Sequence, residues 1–220
     1  MKKAIIGLAV LTALTSASAF AHKEGDFIVR AGLASVVPND DSGSVADVDA
    51  FGLEVDSNTQ FAFTVGYMFT DNISFEVLGA SPFSHDISAN SALSDALGEG
   101  KIAETKHLPP TFMVQYYFGQ ADSKLRPYVG AGINYTVFFD DKFTNSAKSK
   151  TLNNLSLDDS WGLAANVGLD YMLNDDWFIN GSIWYADIDT EASYDFGGTK
   201  YTTDVDIDPW VFMIAGGYKF

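Results

Sequence analysis

Residues 210–220 read Trp-Val-Phe-Met-Ile-Ala-Gly-Gly-Tyr-Lys-Phe, with large apolar side chains at Trp210, Phe212, Ile214, Tyr218 and Phe220 and smaller or polar ones between them. Side chains of a strand alternate between its two faces, so one face of this segment suits lipid and the other a lumen. The run stops on an aromatic residue, as the closing strand of a Gram-negative outer-membrane barrel does, and such a strand is what the barrel-assembly machinery is expected to read. Ala215, Gly216 and Gly217 depart slightly from the usual glycine spacing of that signal, while Tyr218 and Phe220 supply its aromatics.

The start of the chain agrees. Lys2 and Lys3 precede an apolar stretch over residues 4–14, and small residues lead to Ala19-Phe20-Ala21, an A-x-A cleavage pattern. A signal peptide over residues 1–21 and a mature barrel over 22–220 are therefore expected. The apolar stretch is shorter than the roughly 20 residues a spanning helix needs, and no later run approaches that length. Removing the leader takes two of the 13 basic residues and none of the 29 acidic ones, leaving 11 against 29. That balance argues against nucleic acid as a partner, since phosphate binding needs clustered Lys and Arg. The chain has no cysteine, so its stability in an oxidising compartment must come from strand closure.

Period-two alternation with aromatic ends marks eight segments, at 26–36, 60–69, 73–83, 110–118, 126–138, 158–171, 177–187 and 207–220. The intervals between them run long, short, long, short, long, short, long. Outer-membrane barrels have short periplasmic turns and long extracellular loops, which places both termini in the periplasm. Turn residues fill the short intervals: Thr70-Asp71-Asn72, Gly119-Gln120-Ala121-Asp122 and Asn174-Asp175-Asp176. The long intervals are rich in Asp, Ser, Asn and Gly and read as solvated loops. Parity puts Phe61, Phe63, Val65, Tyr67 and Phe69 on the lipid face of one strand and Trp161, Leu163, Val167, Leu169 and Tyr171 on that of another. The fold expected is an all-β, eight-stranded antiparallel transmembrane barrel, with outer-membrane lipid and lipopolysaccharide around it. A soluble barrel would bury the bulky face instead, because an exposed apolar surface of this extent drives association. The barrel is expected to be a monomer.

Eight strands enclose an interior that side chains nearly fill, whereas a water-filled porin needs about sixteen. The inward positions mix Ile28, Met68, Leu78, Met113, Phe178, Trp184 and Met213 with small and polar residues. Leu78 and Trp184 lie on strands that face each other and are candidates for a lumen constriction, although both are equally readable as packing. Arg30 and Glu76 point inward near the periplasmic end, and a lone buried charge is costly, so an ion pair is expected between them. Ser84-His85-Asp86 has the letters of a catalytic triad, but extended neighbours point in opposite directions. His22, His85 and His107 have no metal-ligand spacing, so no enzyme, cofactor or metal site is expected. Acidic residues crowd the outer mouth, among them Asp40, Asp41, Asp47, Asp49, Asp140, Asp187, Asp189, Asp206 and Asp208. They read first as a solvated rim and second as possible divalent-cation ligands.

Several stretches resemble the OmpW family: His107-Leu108-Pro109-Pro110-Thr111, residues 126–136 (RPYVGAGINYT), Asp159-Ser160-Trp161-Gly162, Asp208-Pro209-Trp210-Val211-Phe212, Thr59-Gln60 and Ser81-Pro82-Phe83. The resemblance covers essentially the whole mature chain. It implies a barrel with a narrow, largely hydrophobic lumen, closed by Leu78 and Trp184, acting as a passive channel or receptor for small hydrophobic ligands, with lateral exit through the wall into the bilayer. The other function open at this point is a non-transporting barrel whose loops serve adhesion, recognition or envelope stability. A continuous apolar path favours the first, and interlocked polar side chains from end to end favour the second.

Overall fold

Eight strands make the wall in the computed structural model, which describes residues 22–39, 41–97 and 100–220; the expected leader over residues 1–21 and Asp40 lie outside them. They are β1 (Phe27–Val37), β2 (Asn58–Met68), β3 (Ile73–Ala80), β4 (Thr111–Tyr117), β5 (Leu125–Phe143), β6 (Ser160–Met172), β7 (Trp177–Ala186) and β8 (Trp210–Lys219). Each pairs antiparallel with its neighbours in the order β6-β7-β8-β1-β2-β3-β4-β5, and β5 pairs with β6 to close the ring. The first and last strands are joined over their length, from Ile28↔Lys219 to Val37↔Trp210. Closure leaves no edge, so the backbone polar groups of the wall are satisfied even in hydrocarbon.

The faces follow parity. Leu163 and Ile214 are 70% and 74% exposed, whereas their neighbours Ala164 and Ala215 are 5% and 3% exposed. Such an apolar exterior is tolerable only against lipid. Aromatic residues bound it at both levels: Phe27, Tyr67 and Phe69 with Trp177, Tyr218 and Phe220 at the periplasmic side, and Tyr135 stacked on Trp161 at 4.3 Å with Tyr185 beside Trp210 at the other. The short turns are locked by their own side chains. Asn174 Oδ1 accepts from the Asp176 and Trp177 amides at 3.0 and 2.8 Å, and Asn72 Nδ2 donates to the Tyr117 carbonyl at 2.7 Å.

The long outer intervals are more ordered than solvated loops. Strands Phe83–Ala89 and Lys101–Leu108 form a hairpin that pairs with the upper part of β5, and Leu53–Val55 adds to its edge. Leu152–Leu157, Asp189–Phe196, Thr199–Asp206 and Asp41–Ser42 form a second sheet. Alternate apolar residues among the Asp, Ser and Asn of these stretches bury two clusters, one around Ile87, Leu93, Ile102, Phe143 and Leu152 and one around Phe138, Ile188, Val205 and Ile207. The barrel therefore continues above the membrane as a cup.

The third segment, expected as one strand over 73–83, is interrupted. The β3–β4 ladder ends at Leu78↔Thr111 and the outer hairpin begins at Phe83↔His107. Between these points, residues 79–82 and 108–110 form no ladder pair with each other among the described residues. Pro82, Pro109 and Pro110 have no N–H to donate. The remaining groups bond to their other neighbours, the Ser81 amide to the Phe61 carbonyl at 2.9 Å and the Tyr135 amide to the Pro110 carbonyl at 3.0 Å.

Candidate functional site

The lumen has three storeys. The lowest is a polar plug. The Arg30 guanidinium pairs with the Glu76 carboxylate and donates to Asp170 Oδ2 at 2.7 Å, Asp170 Oδ1 at 3.3 Å and the Tyr117 hydroxyl at 2.6 Å. Glu76 also accepts from Thr64 Oγ1 at 2.9 Å and Gln115 Nε2 at 2.8 Å. Asp170 binds His22 Nε2 at 2.8 Å and accepts from Asn180 Nδ2 at 2.7 Å. Arg126 donates to the His22 carbonyl at 3.0 Å and the Asp71 carbonyl at 2.6 Å. Each of these charged groups is essentially without solvent contact, so only mutual pairing makes the cluster tolerable. Tyr128 and Phe178 rings flank Arg30, each 5.4 Å from it. Glycine is required opposite them: a Cβ at Gly168 would lie 2.3 Å from the Tyr128 ring and one at Gly217 2.1 Å from the Phe178 ring.

The middle storey is apolar. Leu78 and Trp184 lie in one buried cluster with Ala34, Ala62, Phe83, Met113 and Met213. They stand on β3 and β7, four strands apart around the ring, and both line a cavity of about 30 Å³. The Trp184 indole is anchored by its Nε1–H, which donates to Ser182 Oγ at 2.9 Å. The same cavity touches Ala80, Pro109 and Thr111, so it reaches the inner side of the ladder break.

The upper storey is a larger cavity, about 130 Å³, lined by Val45, Phe51, Leu53, Ile87, Leu93, Phe143 and other apolar residues of the cup. His85 and His107 are among its few polar lining residues, and His107 also lines the middle cavity. Their ring centroids are 4.9 Å apart, with Phe83 and Phe138 packed on His107 at 5.4 and 5.8 Å. The Nε2 atom of each ring is buried without a hydrogen-bond partner. Burial, reinforced by the neighbouring His85, holds His107 down to about 3, and burial lowers His85 against the opposing pull of the Asp56 carbonyl. Both imidazoles are neutral near neutral pH.

At the rim, carboxylate oxygens of Asp187, Asp189 and Asp208 come within 4.8 Å of one another, a spacing that could hold a divalent cation. Burial, then the charges of Asp187, Asp206 and Asp208, raises the Asp189 carboxyl above its ordinary value. Asp208 has a local task as well, since its Oδ1 accepts from the Ile188 amide at 3.1 Å.

Parity alone places Leu78, Trp184, Arg30 and Glu76 inside, and the structure has all four there. It also brings in groups that parity did not single out. Asp170 shares Arg30 with Glu76, and His22, from the segment before the first strand, caps Asp170. His85 and His107 meet because Phe83↔His107 and His85↔Thr105 are successive pairs of a hairpin inside an interval that reads as loop. The signal for that hairpin is present but faint, in the alternation of Phe83, His85, Ile87 and Ala89 against polar neighbours.

Comparison with known proteins follows the same lines. The OmpW family model matches residues 23–220. The outer membrane protein W of Vibrio cholerae serotype O1 is 65% identical over 220 residues, the full length of both chains. The crystal structure of the outer membrane protein OprG from Pseudomonas aeruginosa is similar with a TM-score of 0.84 at 43% identity, covering 91% of this chain and 98% of that one. The dibenzothiophene metabolism operon protein PahQ of Pseudomonas aeruginosa is 28% identical over 167 residues, 76% of this chain and 74% of that protein.

Proposed function

Because the chain belongs to the OmpW family and is an outer-membrane barrel, we propose that it is a passive conduit that takes small hydrophobic molecules from outside the cell and releases them sideways into the outer membrane. The observation that carries this reading is the order of the storeys: two apolar cavities lie above a charged plug, and the middle one abuts the break in the wall. An apolar solute gains roughly 25 cal/mol for each Å² removed from water on entering the cup. Lipopolysaccharide slows such a solute and water-filled pores exclude it, so an apolar mouth above the membrane gives it a route. Below the middle cavity the same solute would have to displace Arg30, Glu76 and Asp170 from one another, and unpaired buried charges cost several kcal/mol. The unladdered segment beside Ala80 and Pro109 is the cheaper way out. Leu78 and Trp184, in this reading, narrow the middle storey and set the width of solute that passes. The apolar path thus ends at the wall rather than running through to the periplasm.

The name of PahQ ties that relative to the metabolism of dibenzothiophene, an apolar aromatic, which fits a shared handling of such molecules. No energy source is built into the fold among the described residues, so flux would follow the gradient. The test is accumulation of naphthalene by cells that lack the protein and by cells that express it. Faster accumulation on expression is expected, and equal rates at equal barrel abundance would refute the proposal.

A further inference from the structure

His85 and His107 form a polar spot in a mostly apolar cavity, and nothing in the plug or the wall uses them. His85 Nδ1 faces the carbonyl oxygen of Asp56, which only accepts, so Nδ1 carries the proton and Nε2 presents a lone pair. His107 Nε2 has no hydrogen-bond partner, so in the tautomer that carries the proton there it can donate. Leaving such atoms unpaired where water is scarce is costly, and native interiors rarely keep them without reason.

A hydroxyl group complements the pair. Its O–H donates to His85 Nε2 while its oxygen accepts from His107. Ring centroids 4.9 Å apart are close enough for one oxygen to reach a nitrogen of each at about 2.8 Å. The surroundings fix the rest of the ligand. Phe83 and Phe138 pack on His107, and the cavity beyond is apolar, so an aliphatic or aromatic body belongs there. An ionised carboxylate or ammonium group suits the site poorly, because two neutral imidazoles do not neutralise a buried charge. About 130 Å³ is close to the size of an apolar protein cavity that accepts benzene, so the body is one ring or a short chain.

We propose that the His85–His107 pair is a selectivity site for uncharged hydrophobic molecules bearing one hydroxyl group, phenols and short alcohols, held at the passage from the outer to the middle cavity. This rests on the hydrophobic-conduit reading above and names the class of solute that the conduit prefers. His107 lines both cavities, so a hydroxyl held there sits at the threshold between them.

The experiment compares p-cresol with toluene, which share a body and differ by the hydroxyl, for binding to the full barrel in lipid nanodiscs, each corrected for partition into protein-free discs. The intact protein is expected to prefer p-cresol by roughly tenfold, the value of one net hydrogen bond. His85→Phe and His107→Phe are each expected to reduce that preference, and the double variant to abolish it while toluene still binds. Nitrogen NMR of the unsubstituted protein gives a readout that needs no variant: the imidazole resonances of His85 and His107 should move on adding p-cresol and stay in place with toluene. Toluene binding without any preference for p-cresol, or imidazole resonances unmoved by p-cresol, would overturn the hydroxyl site and leave the conduit standing. Absence of binding by both molecules would overturn the conduit itself, and the inference with it.

Discussion

Replacing Arg30 in the plug should do more than break one ion pair. Arg30 is the cation between two carboxylates, Glu76 and Asp170, none of which has appreciable contact with solvent. Arg30→Met therefore strands two buried negative charges, with His22 and the more distant Arg126 as the neighbouring potential cations among the described residues. Removing one partner of a buried pair costs about 3–5 kcal/mol, and the shared geometry puts Arg30→Met at or above the top of that range. Glu76→Gln leaves Arg30 paired with Asp170 and should cost less, about 2–3 kcal/mol. In the Arg30→Met/Glu76→Gln double variant only Asp170 remains stranded, so it should be more stable than Arg30→Met alone, with a coupling energy above about 1 kcal/mol. Adding Asp170→Asn should recover more. The assay is reversible urea unfolding of the barrel in lipid bilayers, followed by tryptophan fluorescence. Costs that add within about 0.5 kcal/mol would refute the idea that these three residues act as one charge cluster.

Shrinking both Leu78 and Trp184 to Ala should admit wider aromatic solutes to the middle cavity, yet planar-bilayer conductance should stay at background because the Arg30 plug lies beneath; a rise in conductance would mean that the apolar storey, not the plug, bars ions. His107 should make stability depend on pH: its folded value of about 3 lies below the ordinary 6.5, so its contribution is complete above pH 6.5 and is lost as pH falls toward 3. At pH 5 the loss is about 2 kcal/mol, and His107→Phe should flatten that part of the pH–stability curve. Single cysteines at Ser44, Asn90, Ser146 and Gly198 should react with an impermeant reagent on intact cells and those at Asp71 and Asp175 should not; the reverse pattern would invert the topology.

The wall was legible because lipid on one side and lumen on the other force a two-residue period that survives in segments such as 210–220. Closure of the ring and the two girdles follow from that period and from the unequal loops. The cup was not legible. Its strands sit among Asp, Ser and Asn, both faces of its sheets are partly wet, and the alternation at Phe83, His85 and Ile87 spans too few residues to stand out. The ladder break had a written signal in Pro82, Pro109 and Pro110, but a proline at a strand end reads equally as an ordinary turn. Arg30 with Glu76 could be paired by parity and height. Asp170 sits on the sixth strand, five segments after Arg30, in a row of mostly apolar and small residues, and His22 precedes every strand, so their arrival at the same point depends on barrel closure rather than on any local pattern.

The central claim is lateral delivery, and it is tested most directly by timing where a solute appears. Vesicles with lipopolysaccharide on their outer leaflet, carrying the barrel with its mouth outward, are mixed with naphthalene, and its arrival is followed separately in the bilayer hydrocarbon and in the aqueous interior. Ala80, at the edge of the ladder break and on the wall of the middle cavity, supplies the control, since Ala80→Trp should fill the passage without touching the plug. The account predicts that the intact barrel speeds arrival in the hydrocarbon several-fold over protein-free vesicles and that Ala80→Trp abolishes the gain. Naphthalene reaching the interior before the hydrocarbon, or an Ala80→Trp barrel that folds and delivers at the unsubstituted rate, would contradict it.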